Sequence, residues 1–122
     1  MDKQPFSIRS RIKSFRYAWA GIIRFLVTEH NARIHLAATL LVIAAAWALR
    51  VSYDQAAMLA FAIGLVWVAE MINTCLEKTM DLISKEENAG IKFIKDLAAG
   101  AVLVASVIAV IIGLFIFIPK FL

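Results

Sequence analysis

Little in this chain can serve as a covalent staple, a linker or a phosphate-binding loop. One cysteine, Cys75, stands among 122 residues, so no intrachain disulfide is possible, and Cys75 reads as a small packing residue. Two prolines and five glycines leave no Pro-rich or Ser-rich linker, and nothing can form a separate soluble lobe. No Gly-x-x-x-x-Gly-Lys-Ser/Thr run and no Gly-x-Gly-x-x-Gly run occurs, which excludes the P-loop route to phosphate binding. Charge is scarce, with 18% charged residues against 62% hydrophobic ones and a mean hydropathy of +0.82. These values lie outside the range of an ordinary soluble domain and identify a membrane protein.

The apolar residues fall into three stretches that predict spanning helices at about 34–49, 56–75 and 97–118. The second and third have about the 20 residues that a bilayer requires. The first is short and must lean on snorkelling by Arg33 and Arg50 or on local thinning. Ahead of them, Ile8, Ile12, Phe15, Trp19, Ile22 and Leu26 recur in steps of four and three, with Arg9, Arg11, Lys13, Arg16 and Arg24 largely between them. That pattern predicts a basic amphipathic helix at about 6–30 lying in the headgroup layer and sensing anionic lipid, not nucleic acid. No short apolar core with a small-residue cleavage site follows these charges, so the helix is expected to stay on the mature protein. The expected fold is an all-α membrane protein: one domain over residues 1–122, with an N-terminal amphipathic surface helix and three transmembrane helices.

Lys and Arg outside the spans are unevenly shared. Seven precede the first span (Lys3, Arg9, Arg11, Lys13, Arg16, Arg24, Arg33) and four lie between the second and third (Lys78, Lys85, Lys92, Lys95). The first connection holds only Arg50 and the tail only Lys120. The positive-inside rule then puts the N-terminus and the second connection in the cytoplasm. In the first turnaround, 50–54, Asp54 is a candidate cap for the second span. In the second connection, 84–95, Asn88 and Gly90 are candidate helix-stop residues. Small residues every four positions, Ala56, Ala60 and Gly64 in the second span and Ala101, Ala105, Ala109 and Gly113 in the third, allow close helix approach in lipid. Oligomerisation is the expected way to hide polar groups from lipid.

The polar groups to be hidden begin at Glu70, which ends the apolar run 56–69. An ionisable residue at the edge of a hydrocarbon layer is a functional-site hypothesis by default. Asn73, Glu77 and Asp81 follow, and at about 100° per residue the four lie within about 80° of arc on one helix face. On the same membrane side are Glu29, before Asn31, Arg33 and His35, and Lys95 with Asp96 at the start of the third span. Glu29 and Glu77 together could hold a hard cation such as Mg2+, which takes carboxylate oxygens and keeps water and substrate phosphates as its other ligands. Metal, lysine and carboxylate base are the parts that phosphoryl transfer uses. His30 and His35 make a weak metal pair, and Trp19, Trp47 and Trp67 read as interface or packing residues.

The run Tyr17-Ala-Trp-Ala-Gly21, then Glu29-His-Asn-Ala-Arg-Ile-His35, then Glu70-x-x-Asn73-x-x-x-Glu77-x-x-x-Asp81, then Lys95-Asp96 closely resembles the small integral-membrane lipid kinases of prokaryotes, the diacylglycerol kinase and undecaprenol kinase family. The resemblance covers nearly the whole chain. It implies ATP-dependent phosphorylation of a membrane lipid hydroxyl in the cytoplasmic (inner) membrane, by a homotrimer with sites shared between subunits. It casts Glu70 as general base, Asn73 as a polar positioner beside it, and Glu29 and Glu77 as the Mg2+ pair. Lys95 neutralises phosphate charge, Asp81 and Asp96 hold the polar network, and Lys13 and Tyr17 contact the nucleotide. The Asn-x-Arg-Ile-His pattern is closer to the undecaprenol branch, with diacylglycerol as the other acceptor. Two further classes compete: a small proton-coupled transporter using Glu70, and a non-catalytic membrane subunit whose charged stripe binds a partner.

Overall fold

A computed structural model describes residues 5–122; of the cations counted above, Lys3 lies outside the described residues. Four α-helices follow in order, α1 (Ile8–Thr28), α2 (His30–Ala48), α3 (Tyr53–Ile83) and α4 (Ala89–Phe117), and a 3₁₀ turn (Ile118–Phe121) ends the chain. Among the described residues there is no strand. Three of the helices, α2, α3 and α4, are long and apolar enough to cross a membrane. The chain divides into two compact units, one up to Leu36 and the other Ala37–Leu122.

In the first unit, Ser7 caps α1 by accepting a hydrogen bond from the Ser10 amide at 3.4 Å. The helix ends where Glu29 turns to extended backbone while its amide still bonds the Phe25 carbonyl at 2.9 Å. Ile8, Ile12, Phe15 and Trp19 are all exposed, an apolar stripe of the kind that sinks into a headgroup layer.

The first span is longer than its apolar run suggested. Helix α2 has 19 residues, about 28 Å at 1.5 Å per residue, close to the hydrocarbon thickness. Its end is a Schellman turn: the Val51 amide bonds the Ala46 carbonyl at 3.1 Å and the Arg50 amide bonds Trp47 at 3.2 Å, with Arg50 in the left-handed region at φ 52°. Helix α3 then starts from a capping box. The Gln55 amide donates to Ser52 Oγ at 3.2 Å and the Ser52 amide to Gln55 Oε1 at 3.0 Å. Asp54, expected as the cap, instead lies in the first turn, where its charge favours the positive end of the helix dipole.

Helix α3 has 31 residues, about 46 Å, so it outruns a 30 Å hydrocarbon layer and carries its polar residues beyond the apolar run without a break. The charged connection is correspondingly short. Asn88 is not a helix stop but the N-cap of α4, its Oδ1 accepting from the Gly90 and Ile91 amides at 2.8 and 3.3 Å. Gly90 is in the first turn of α4. Asn serves a helix start as well as a helix end, so its presence alone does not give the direction.

Helices α3 and α4 form the main packed pair. Leu59, Ala62, Val66, Glu70, Asn73 and Met80 are the buried residues of α3, and Ala98, Ala105 and Ile116 those of α4. Both sets follow steps of three and four or their sums, the spacing of knobs-into-holes packing. Of the two small-residue stripes, the one on α4 contributes Ala105 to this seam, whereas Ala56, Ala60 and Gly64 on α3 are exposed. The α3 seam runs instead through Leu59, Ala62 and Val66.

Candidate active site

The polar stripe is graded along α3. Glu70 is 3% exposed and Asn73 7%; Glu77 is half-buried and Asp81 exposed. The gradient follows from the seam's register, since Glu70 and Asn73 occupy positions that Leu59, Ala62 and Val66 fill further along. One helical turn links Asn73 to Glu77, and Asn73 Nδ2 donates to Glu77 Oε1 at 3.4 Å. Asn73 Oδ1 is buried with no hydrogen-bond partner among the described residues. A buried acceptor left unpaired costs stability, about 1–3 kcal/mol for a typical group.

Helix α4 supplies the cations. Lys95 Nζ donates to Asp81 Oδ1 at 2.6 Å, a bridge between α3 and α4 one turn beyond Glu77. Asp96 is paired with Lys92, four residues earlier on α4, both side chains being exposed. Lys95 and Asp96 therefore have different partners within the chain, and Asp81 is the acid that holds Lys95. A polar cavity of about 610 Å³ opens beside them, lined by the 84–88 connection and by Lys92, Lys95 and Asp96. Lys85 and Lys92, which the sequence offered only as loop charges, belong to this cavity. For Lys92 the signal is its i, i+4 spacing to Asp96, legible only once α4 is known to begin at Ala89; Lys85 carries no such signal.

The remaining candidates lie in the first unit. Lys13 and Tyr17 are four residues apart on α1 and share a face, with Tyr17 70% exposed. Glu29 is half-buried at the end of α1. Among the described residues no three His, Cys, Asp or Glu side chains converge on one point that could hold a metal ion. The half-buried Glu77 carboxylate, which accepts from Asn73, is an oxygen donor of the kind that a hard cation takes beside water and phosphate.

Comparison with known proteins identifies a family. The family model for prokaryotic diacylglycerol kinase matches residues 16–117. A diacylglycerol kinase of Synechocystis is 42% identical over 110 residues, 89% of this chain and 63% of the relative, so the chain spans less than two thirds of that protein. An undecaprenol kinase of Bacillus subtilis is 40% identical over 108 residues, 88% of each chain. A diacylglycerol kinase of Escherichia coli K12 is 31% identical over 100 residues, 82% of each. The matched region holds every helix from the middle of α1 to the end of α4, and with it Tyr17, Glu29, the Glu70 to Asp81 stripe and Lys95-Asp96. The chain belongs to the prokaryotic diacylglycerol kinase family.

Proposed function

We propose that this protein is a lipid kinase that transfers the γ-phosphate of ATP to the hydroxyl of a membrane lipid, with a polyprenol such as undecaprenol as the preferred acceptor. The observation that carries the reading is a carboxylate, Glu70, buried where the apolar part of α3 ends, with Asn73 and Glu77 on the following turns. Membership of the family supports the reaction class. The acceptor preference rests on the Asn-x-Arg-Ile-His run from Asn31 to His35.

In this reading a lipid hydroxyl arrives from the bilayer side at the level of Glu70. Its proton passes to the Glu70 carboxylate as its oxygen forms a bond to the γ-phosphorus; the bond from that phosphorus to the β,γ-bridging oxygen breaks, and ADP leaves. Asn73 holds Glu77 and orients the stripe. Glu29 and Glu77 would hold Mg2+, which when bound offsets charge on the phosphate oxygens. Lys95 supplies a positive charge to the transferring group and Asp81 keeps its ammonium in place, while Lys92 anchors Asp96 at the cavity wall. Lys13 and Tyr17 contact the nucleotide. The protein resides in the cytoplasmic membrane with its N-terminus inside.

We also infer a homotrimer with sites shared between subunits. Phe61, Leu65, Val68, Ile72 and Cys75 recur on α3 in steps of four and three, the spacing of a second helix-packing face. Phe61, Val68, Ile72 and Cys75 are exposed on the single chain. Mixing Glu70→Gln with Lys95→Met subunits is expected to restore part of the activity, and failure to complement would assign each site to one chain.

The deciding experiment is transfer of labelled phosphate from ATP with Mg2+ to undecaprenol and to diacylglycerol, using detergent-purified protein and Glu70→Gln. Product on undecaprenol that the substitution abolishes supports the reading. Product only on diacylglycerol reverses the acceptor preference. No product on either lipid would favour a transporter or a partner-binding subunit.

A further inference from the structure

Within Ala37–Leu122 the spanning helices are held together unequally. Helix α3 packs on α4 along much of its length, whereas its contact with α2 is sparse. Leu40, Leu41, Ile43 and Trp47 of α2 are all exposed. A polar contact nevertheless joins α2 to α3: the indole Nε1 of Trp67 donates to Thr39 Oγ1 at 2.9 Å, in a part-buried setting. Both residues lie in helices long and apolar enough to cross a membrane. Lipid tails are as apolar as the side chains there, so association gains nothing from the hydrophobic effect, and one interhelical hydrogen bond weighs more heavily where packing is thin. The bond also forms at a particular height. Trp67 precedes Glu70 by three residues, so the two are neighbours on the surface of α3, one turn apart.

We propose that Trp67 is a positioning residue for phosphoryl transfer: its hydrogen bond to Thr39 pins α2 against α3 at the level of Glu70 and so sets the room available to the acceptor hydroxyl. The proposal rests on Glu70 acting as the base. An indole suits this task because it carries one donor on a rigid plate with only two side-chain torsions, and threonine offers an acceptor on a short, branched stem. A phenylalanine at 67 would keep an aromatic ring, though a smaller one, and lose the pin; a valine at 39 would keep the shape and lose the acceptor.

The test compares Thr39→Val, Thr39→Ser, Trp67→Phe and the Thr39→Val/Trp67→Phe double variant in full-length, detergent-purified protein, with labelled ATP and undecaprenol or diacylglycerol. Thr39→Val and Trp67→Phe are each expected to lower kcat about 3- to 20-fold, the range that one interhelical bond in a membrane spans, with the KM for ATP unchanged. Thr39→Ser is expected to retain most of the turnover, and the double variant to be no slower than the slower single variant. In a Trp19→Phe/Trp47→Phe background, the remaining indole emission should shift to the blue with Thr39→Val and stay in place with Thr39→Ser, a readout independent of turnover. Trp67→Phe serves as the break should Thr39→Val not purify as folded protein. Equal loss in the serine and valine variants, or faster thermal inactivation with kcat unchanged, would overturn the positioning role and leave the kinase reading intact. A wild-type protein that phosphorylates neither lipid would overturn both.

Discussion

Two stretches of the α3 seam, with the buried Met80 beyond both, share one geometry and differ in chemistry. Towards its N-terminal end the buried positions are Leu59, Ala62 and Val66; the next two, one turn on, are Glu70 and Asn73. The spacing does not change between them, and neither does the helix. At the apolar end every buried atom is content in hydrocarbon. At the polar end a carboxylate and an amide are buried just as deeply, and one amide oxygen has no partner among the described residues. Packing alone would favour extending the apolar set by two more residues. The apolar end is the frame, and the polar end is a place where the fold tolerates a cost for the sake of chemistry.

The sharpest way to probe that contrast is at Glu70 itself. Glu70→Gln keeps shape and burial and removes the base, so kcat for lipid phosphorylation should fall about a thousandfold, within the range attributed to general bases, with nucleotide affinity little changed. Steady-state transfer assays with ATP titrations check this, and an active variant removes Glu70 from its role. Next in size is the metal requirement. Glu77→Gln should raise the Mg2+ concentration for half-maximal activity by about 10- to 100-fold, and an unchanged magnesium titration would exclude Glu77 as a ligand.

Stability separates the two ends in opposite directions. Leu59, 5% exposed, is a buried apolar member of the seam, so Leu59→Ala should destabilise the fold by about 2–5 kcal/mol through lost packing and the space left behind. Asn73→Leu should do the reverse, raising stability by about 1 kcal/mol by removing the unpaired acceptor while turnover falls. Thermal inactivation in detergent, followed beside activity, reads both; an Asn73→Leu protein that is less stable than wild type would break the contrast. The smallest effect concerns neither end. Arg50 holds a left-handed conformation, so Arg50→Gly should stabilise the turn by at most about 1 kcal/mol with unchanged kinetics.

Much of this was legible in the chain. The number and order of helices follow from apolar runs and from the four-and-three spacing of Ile8 to Leu26, because hydrocarbon allows little choice for a backbone with its own hydrogen bonds to satisfy. The stripe from Glu70 to Asp81 was legible as one helix face for the same geometric reason. The sense of Asn88 was not, since its side chain serves either end of a helix. Nor was the choice between two α3 faces: Ala56, Ala60 and Gly64 have the smaller side chains, yet Leu59, Ala62 and Val66 are the buried set. Both faces obey a packing periodicity, and the partner's surface decides between them.

Periodicity and hydropathy are local properties, so the chain alone shows helices apolar enough to cross a membrane three times and acids aligned on one face. Tertiary structure decided which of those acids are buried, that Lys95 takes Asp81 while Asp96 takes Lys92, and that Trp67 reaches Thr39 across 28 positions of chain. Each of these outcomes depends on the rotation and height of one helix against another, quantities that are set by side chains distant in sequence and by no single segment alone.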